Sequence, residues 1–284
     1  MMETKERQVL QKIQGARTVD GAGVHLVRVL DNRTVGPFDP FLMLDSFDSQ
    51  NPDEYTAGFP LHPHRGIETI SYVYNGKMVH KDSLGNEDSI TDGEVQWMTA
   101  GSGILHEEQV PAVKNLLGVQ LWLNLPAADK MAPPMYHSIK QADIPEISLP
   151  CGKLRLLAGS YNEHPGYQSR YLPLDYYDIH MNPHTTLTLD TDAYRSVILF
   201  TLVGNIRIGN ETIAEKTAVN LSAGNTLTLD NEDTPAQVLY MSSTALHEPV
   251  AWGGPIVMNT QDELRKAFSE LKNNTFLKEK TTYK

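Results

Sequence analysis

Two pairs of side chains spaced two residues apart constrain this chain more than anything else in it. His62 and His64 stand in HPHRGIETISYVYNG, and His106 and Glu108 stand in MTAGSGILHEE. On a β-strand, residues i and i+2 share one face, whereas on a helix that spacing separates them. Two such strands lying side by side would aim three imidazoles and one carboxylate at a single point. That donor set suits a divalent transition metal: imidazole binds iron, copper, nickel and zinc, and a carboxylate adds hard, anionic character. A six-coordinate ion would keep two open positions, unlike the closed, commonly Cys-rich sites of structural zinc. Pro63 pushes His62 towards extended backbone. Gly101 and Gly103 flank Ser102 and allow a tight turn ahead of the second pair.

The surrounding pattern is β. From GAGVHLVRVL to about Leu125, short runs of Val, Ile, Tyr and Thr are separated by Gly, Asn and Asp turns. LNLPAADKMAPPMY interrupts the pattern as a connector, and a second β-rich stretch runs from about Leu154 to Ser243. The first 15 or so residues read as a short polar helix or a frayed tail. A faint repeat relates the halves: YNGKMVH then ITDGEVQWM in the first, LVGNIRI then LSAGNTLTL in the second. Gly76, Gly93, Gly204 and Gly224 mark its turns. Two similar all-β barrels in tandem would produce this. The second half has no His-x-His and no counterpart of His106 and Glu108, so one barrel is expected to hold metal and the other not. The expected division is a metal-binding barrel over residues 1–130 and a ligand-free barrel over 131–284 that includes a C-terminal helix. That helix lies in TQDELRKAFSELKNN, with Thr260 as N-cap, Glu263 as its capping-box partner, and a packing stripe of Leu264, Ala267, Phe268 and Leu271.

Composition narrows the function classes. The 284 residues carry 24 basic and 35 acidic side chains, a net charge of −11. A field of that sign disfavours direct contact with nucleic acid or anionic membrane. The single cysteine, Cys151, leaves no intramolecular disulfide and no Cys-rich metal site. The N-terminus MMETKERQVLQKIQG is charged and has no secretory apolar run, and no stretch approaches the roughly 20 apolar residues of a spanning helix. A soluble cytoplasmic protein is the expectation, and a monomer, because two fused barrels cover much of each other's surface.

Other polar residues carry weaker signals. Glu68 follows His64 by four residues and is a candidate partner of the ligand histidines or an ordinary hydrogen-bonding group. His80, His137 and His164 read as surface or satisfied histidines, and Trp97 and Met98 as barrel filling. His180 and His184 have helical spacing, but Pro183 breaks a helix there. No Ser–His–Asp arrangement and no Gly-rich phosphate loop is visible.

DPFLMLDSF, GFPLHPHRGIETISYV, DGEVQWMTAGSGILHEE and EPVAWGGPIVMNT together resemble the pirins, a branch of the cupin superfamily. The resemblance covers most of the chain. It implies two tandem cupin (jelly-roll-like) β-barrels with a C-terminal helix. It also implies one metal in the N-terminal barrel, held by His62, His64, His106 and Glu108. That metal is expected to be Fe2+, with Mn, Ni, Co, Cu and Zn as alternatives. Four positions depart from the family pattern: Ser46, Asp92, Ser102 and Glu107. Ser102 and Glu107 are expected beside the metal, where they would alter its electrostatics or its entrance. Several pirins resemble quercetin 2,3-dioxygenases, which open a flavonol ring with O2 and release carbon monoxide. On that reading a small aromatic such as a flavonol is the substrate, and Glu108 takes the proton of its 3-hydroxyl. The alternative is a non-enzymatic metal- or redox-sensing regulator that binds a transcription factor or metabolic enzyme.

Overall fold

The computed structural model describes residues 4–279. The chain divides into two compact units that interleave along the sequence. One comprises the N-terminal segment through Ala16, Gly36–Pro40 and Ala142–Ala245; the other comprises Arg17–Val35, Phe41–Gln141 and the chain from Leu246 onward. This differs from a division near residue 130, because each terminus joins the unit more distant in sequence.

Each unit is built from one seven-stranded and one four-stranded antiparallel sheet, the double-sheet architecture expected from the repeat. In the later unit the larger sheet runs Val9–Gln14, Thr217–Leu221, Ser196–Val203, Ala236–Ser243, Leu174–Met181, Gly152–Ala158, Glu146–Leu149. Its smaller sheet contains Thr226–Asn231, where Leu227 and Leu229 are fully buried between half-buried or exposed neighbours. That period-two alternation is what a strand with one face on a core requires. Leu154, Ile179, Leu199, Val219 and Val238 from the larger sheet meet these leucines in one core.

Near the start of the chain Val9–Gln14 is a strand, not a helix or frayed tail; residues 1–3 lie outside the described residues. Val9–Gln14 pairs antiparallel with Thr217–Leu221, which shields a sheet edge that would otherwise present unpaired backbone. Arg7, fully buried, fastens this segment: Nε donates to Thr191 Oγ1 (2.8 Å), Nη1 to the Ser222 carbonyl (2.7 Å) and Nη2 to the Asp192 carbonyl (2.6 Å). Of the repeat's glycines, Gly76, Gly93 and Gly204 have positive φ. Gly224 does not; a Cβ there would lie 2.7 Å from the Lys5 carbonyl, so its role is to let the N-terminal segment approach.

In the other unit the larger sheet runs Met135–Ile139, Glu94–Thr99, Ile67–Asn75, Leu116–Asn124, Phe41–Ser49, Val24–Leu30, Ala16–Asp20. The smaller runs Phe59–His64, Ile104–Gln109, Met78–Asp82, Glu87–Ile90. The C-terminal segment completes it. Ala251–Gly253 and Ile256–Met258 form a short hairpin, bridged at Arg65–Ile256. The helix Gln261–Lys272 follows with the expected capping box: the Glu263 N–H donates to Thr260 Oγ1, and the Thr260 N–H to Glu263 Oε2. Leu264 and Ala267 pack on Ala251, Ile256, Met258 and Phe276, while Phe268 is 43% exposed, so the buried stripe is narrower than predicted. No helix among the described residues is long and apolar enough to cross a membrane.

Candidate metal centre

The strand Ile104–Gln109 lies between Phe59–His64 and Met78–Asp82, and this arrangement assembles the site. His106 sits directly opposite His62 on one side and Asp82 on the other. The ligand atoms of His62, His64 and His106 lie within 4.8 Å of one another, and the two Nε2 atoms of His62 and His64 are 3.1 Å apart.

The hydrogen-bond network assigns the same tautomer to each of the three rings. His62 Nδ1–H donates to the Pro60 carbonyl at 2.8 Å, and His64 Nδ1–H to the Pro255 carbonyl at 3.0 Å. His106 Nδ1–H donates to His80 Nδ1 at 3.4 Å, and His80 Nε2–H donates to Asp82 Oδ2 at 2.9 Å. Asp82 is held in turn by the Leu84 and Asn86 N–H groups and by Asn86 Nδ2. Every Nε2 therefore keeps its lone pair for the centre. His106 Nε2 is buried without a hydrogen-bond partner among the described residues. An orphaned buried nitrogen is costly, and here it faces two further imidazole Nε2 atoms, so the donor set fits a divalent transition ion.

Glu108 is not a member of the three-histidine cluster. The ladder shifts register between His106 and Glu108, which pairs Glu108 with Phe59. Its carboxylate accepts from Gln96 Nε2 (2.7 Å) and from Gln120 Nε2 (3.1 and 3.3 Å), and Trp122 Nε1 donates to Gln120 Oε1 (3.3 Å). Glu108, His62 and His64 line one cavity of about 670 Å3. Its walls include Met43, Phe59, Trp122 and Trp252; the two indole rings lie 5.8 Å apart and Trp122 meets His64 edge-on at 4.9 Å.

Neighbouring struts hold the ligand strands. Arg65, 2% exposed, donates to the Ser102 carbonyl, Glu270 Oε2 and the Phe276 carbonyl, each at 2.7 Å, with its guanidinium 4.1 Å from the Phe276 ring. Lys130 Nζ reaches the carbonyls of Gly66 and Val257 and Asn124 Oδ1, so each ammonium proton has an acceptor although burial pushes the group down to about 7. Gly66 has φ +77, and a Cβ there would meet the Val257 carbonyl at 2.0 Å.

Several expectations are revised. His80 is a satisfied histidine rather than a surface one: it is fully buried, donates to Asp82 and supports His106. Its signal was the His80-x-Asp82 spacing, again i, i+2. Glu68 accepts from Thr99 Oγ1, not from a ligand histidine, and burial raises its pKa. Glu107 pairs in register with Lys81 and, by strand alternation, faces away from His106. Ser102 contributes its carbonyl to Arg65, and neither residue lines the cavity. His137 and His164 are exposed. His180 lies at the end of a strand, Leu174–Met181, and bonds Asp178.

Two predictions follow from this geometry. His80→Gln should weaken Fe2+ or Ni2+ binding by about 10–100-fold, the usual cost of losing such a supporting partner. A chelator competition titration reads it, and an unchanged affinity would remove the role given to His80. The second concerns pH. Burial, and then the neighbouring His62, push His64 down to about 3. Burial, and then His62, His64 and His80, hold His106 well below its ordinary value. As pH falls below about 6.5 the unfolded chain takes up protons that these native rings refuse, so stability falls with pH. Asp45, which burial pushes up to about 6 against its Arg28 contacts, acts in the opposite direction, as do the raised Glu68 and Asp175, whereas the lowered carboxyls of Asp20, Asp31, Asp82, Asp88 and Glu270 act with the histidines. The melting temperature of metal-free protein should therefore drop from pH 6.5 to 4; a flat or rising profile would contradict it.

The Pirin family profile matches residues 23–123, and the Pirin C-terminal cupin domain matches residues 176–277. A Pseudomonas aeruginosa protein provisionally named a quercetin 2,3-dioxygenase is 38% identical over 95% of this chain and 98% of its own. Human pirin is 33% identical over 92% of each chain. A crystal structure of a quercetin 2,3-dioxygenase from Acinetobacter baumannii superposes with TM-score 0.89 at 32% identity, covering 95% of this chain and 98% of that one. With two cupin domains, the N-terminal one carrying the histidine cluster, the chain belongs to the pirin family.

Proposed function

We propose that this protein is a metal-dependent dioxygenase that opens the ring of a flavonol with O2, in the manner of quercetin 2,3-dioxygenase. The observation that carries this reading is the convergence of the His62, His64 and His106 imidazoles, two of which, His62 and His64, line a cavity of about 670 Å3 walled by Trp122, Trp252, Phe59 and Met43. His62, His64 and His106 would hold a divalent ion, Fe2+ being the family expectation, and Glu108 would complete the set or stand beside it. When bound, the ion would supply Lewis-acid acidification of a substrate hydroxyl and access to O2 chemistry.

The remaining work falls to the chain itself. Glu108 would accept the hydroxyl proton, a role supported by its position on the cavity and by Gln96 and Gln120, which donate to its carboxylate and fix its orientation. The indole walls exclude water and favour a flat aromatic body. Beside these walls the cavity carries polar and charged side chains, His62, His64, Glu108, Gln120 and Arg28 among them, which can orient a substrate.

The test is quercetin consumption with matching O2 uptake and carbon monoxide release, by protein loaded anaerobically with Fe2+ and then exposed to air. Stoichiometric metal with no consumption of quercetin would overturn the dioxygenase reading and favour a metal-sensing partner protein.

A further inference from the structure

The cavity carries a second polar set that the ligand residues do not use. Asp20 and Arg28, from the neighbouring strands Ala16–Asp20 and Val24–Leu30, and Asp45, from Phe41–Ser49, all line it. Arg28 Nε donates to Asp45 Oδ1 at 2.9 Å and Nη2 to Asp45 Oδ2 at 2.7 Å, a fork that fixes the guanidinium plane. The same Nη2 donates to Asp20 Oδ2 at 2.6 Å. Among the described residues Nη1 has no protein acceptor. The Asp45 side chain is 4% exposed, whereas Arg28 and Asp20 are 28% and 48% exposed.

An arginine in a substrate cavity ordinarily signals capture of a carboxylate or phosphate. Here that role is blocked. Two carboxylates already answer one guanidinium, so the set carries no net positive charge, and an incoming anion would meet Asp20 and Asp45 as well as Arg28. A hydroxyl suits the set better, because it both accepts and donates. It can accept a hydrogen bond from Nη1–H while donating its own O–H to Asp20, whose oxygens retain lone pairs beyond those bonded to Arg28 and to the Gly21 N–H.

We propose that Arg28, Asp20 and Asp45 form a specificity determinant that reads an uncharged hydroxyl on an aromatic substrate and rejects aromatic anions. The proposal rests on the substrate cavity of the preceding section and names the chemical class it admits: neutral, hydroxylated, planar rings. Asp45 acts by positioning Arg28, and Arg28 and Asp20 make the contact. A site built to bond a hydroxyl discriminates against an analogue that lacks it, because its polar groups are then left unpaired.

The experiment is equilibrium binding without turnover, read by quenching of tryptophan fluorescence under anaerobic conditions. The ligands are quercetin, the same flavonol without its two outer-ring hydroxyls, and quercetin carrying an outer-ring sulfonate. Wild type should bind quercetin about tenfold more tightly than the dehydroxy form, and the sulfonate most weakly. Asp20→Asn, at a half-exposed position that leaves the fold intact, should narrow the gap between quercetin and the sulfonate by about fivefold or more. Arg28→Met should erase the preference for the hydroxylated ring, with circular dichroism confirming a folded chain. Equal binding of quercetin and the sulfonate by wild type, or an unchanged ratio in Asp20→Asn, would overturn the proposal, as would failure of all three to bind. Selective binding without consumption in air would leave it standing and remove the dioxygenase reading; turnover without selectivity would do the reverse.

Discussion

His106→Ala is expected to empty the centre and abolish quercetin turnover together. His106 is the one ligand candidate bonded through its ring to a buried side-chain pair, His80 and Asp82, and it lies on the strand between those carrying the other groups. Removing it leaves His62 and His64, with Glu108 beside them held by Gln96 and Gln120, a set that holds a labile divalent ion far more weakly against water. The loss of affinity should exceed the roughly 10–100-fold cost of changing an outer partner such as His80. Metal content measured after dialysis should fall from near stoichiometric to below about a tenth, and O2 uptake with quercetin should fall to the uncatalysed level, consistent with metal-dependent chemistry. Melting of the metal-free variant should fall, since removing the fully buried ring leaves a cavity and strips His80 Nδ1 of its donor, which outweighs the loss of one orphaned nitrogen. Turnover that survives in metal-free His106→Ala would detach the chemistry from this centre.

Arg65→Met should be the most destabilising single change near the site. Arg65 is buried, and its removal strips donors from the carbonyls of Ser102 and Phe276 and from Glu270. Breaking a buried ion pair at one partner costs about 3–5 kcal/mol. Glu270 retains Lys278 at 2.9 Å and is 16% exposed, which places the loss near the lower end. At roughly 2–4 °C per kcal/mol for a chain of this size class, the melting temperature should fall by about 6–12 °C. Metal affinity should decline as well, because Arg65 adjoins His64 and the Ser102 carbonyl it holds precedes the strand of His106. A change below about 2 °C would show that the C-terminal segment is not a strut for the ligand strands. The same measurement on Arg7→Met would show whether the N-terminal strand has an equivalent clasp in the other unit.

Much of the centre was legible in the sequence because strand geometry is local. The i, i+2 pairs and Pro63 placed His62 with His64, and His106 with Glu108, on shared faces whatever the rest of the fold did. The capping box of the last helix was legible for the same reason: Thr260 and Glu263 are three residues apart and need no distant partner. The repeat of Gly-turns foretold two similar barrels.

What lay outside the sequence was long-range pairing. VLQKIQ reads as a polar start to the chain until its partner strand, some 200 residues away, supplies the other half of the ladder. His80 looked like any histidine until the neighbouring strand brought His106 to its Nδ1. Arg28, Asp45 and Gln120 interrupt the apolar runs of their strands, but nothing local says what they face. The sequence by itself determined the donor types, their spacing and the β class, because side-chain alternation is a property of one strand. Only the tertiary structure decided which tautomer each histidine keeps, that Glu108 is held by two glutamines beside the cluster, and that Arg28 shares the cavity already matched by two carboxylates. Those facts depend on strand order and register, which are set by the packing of the whole barrel.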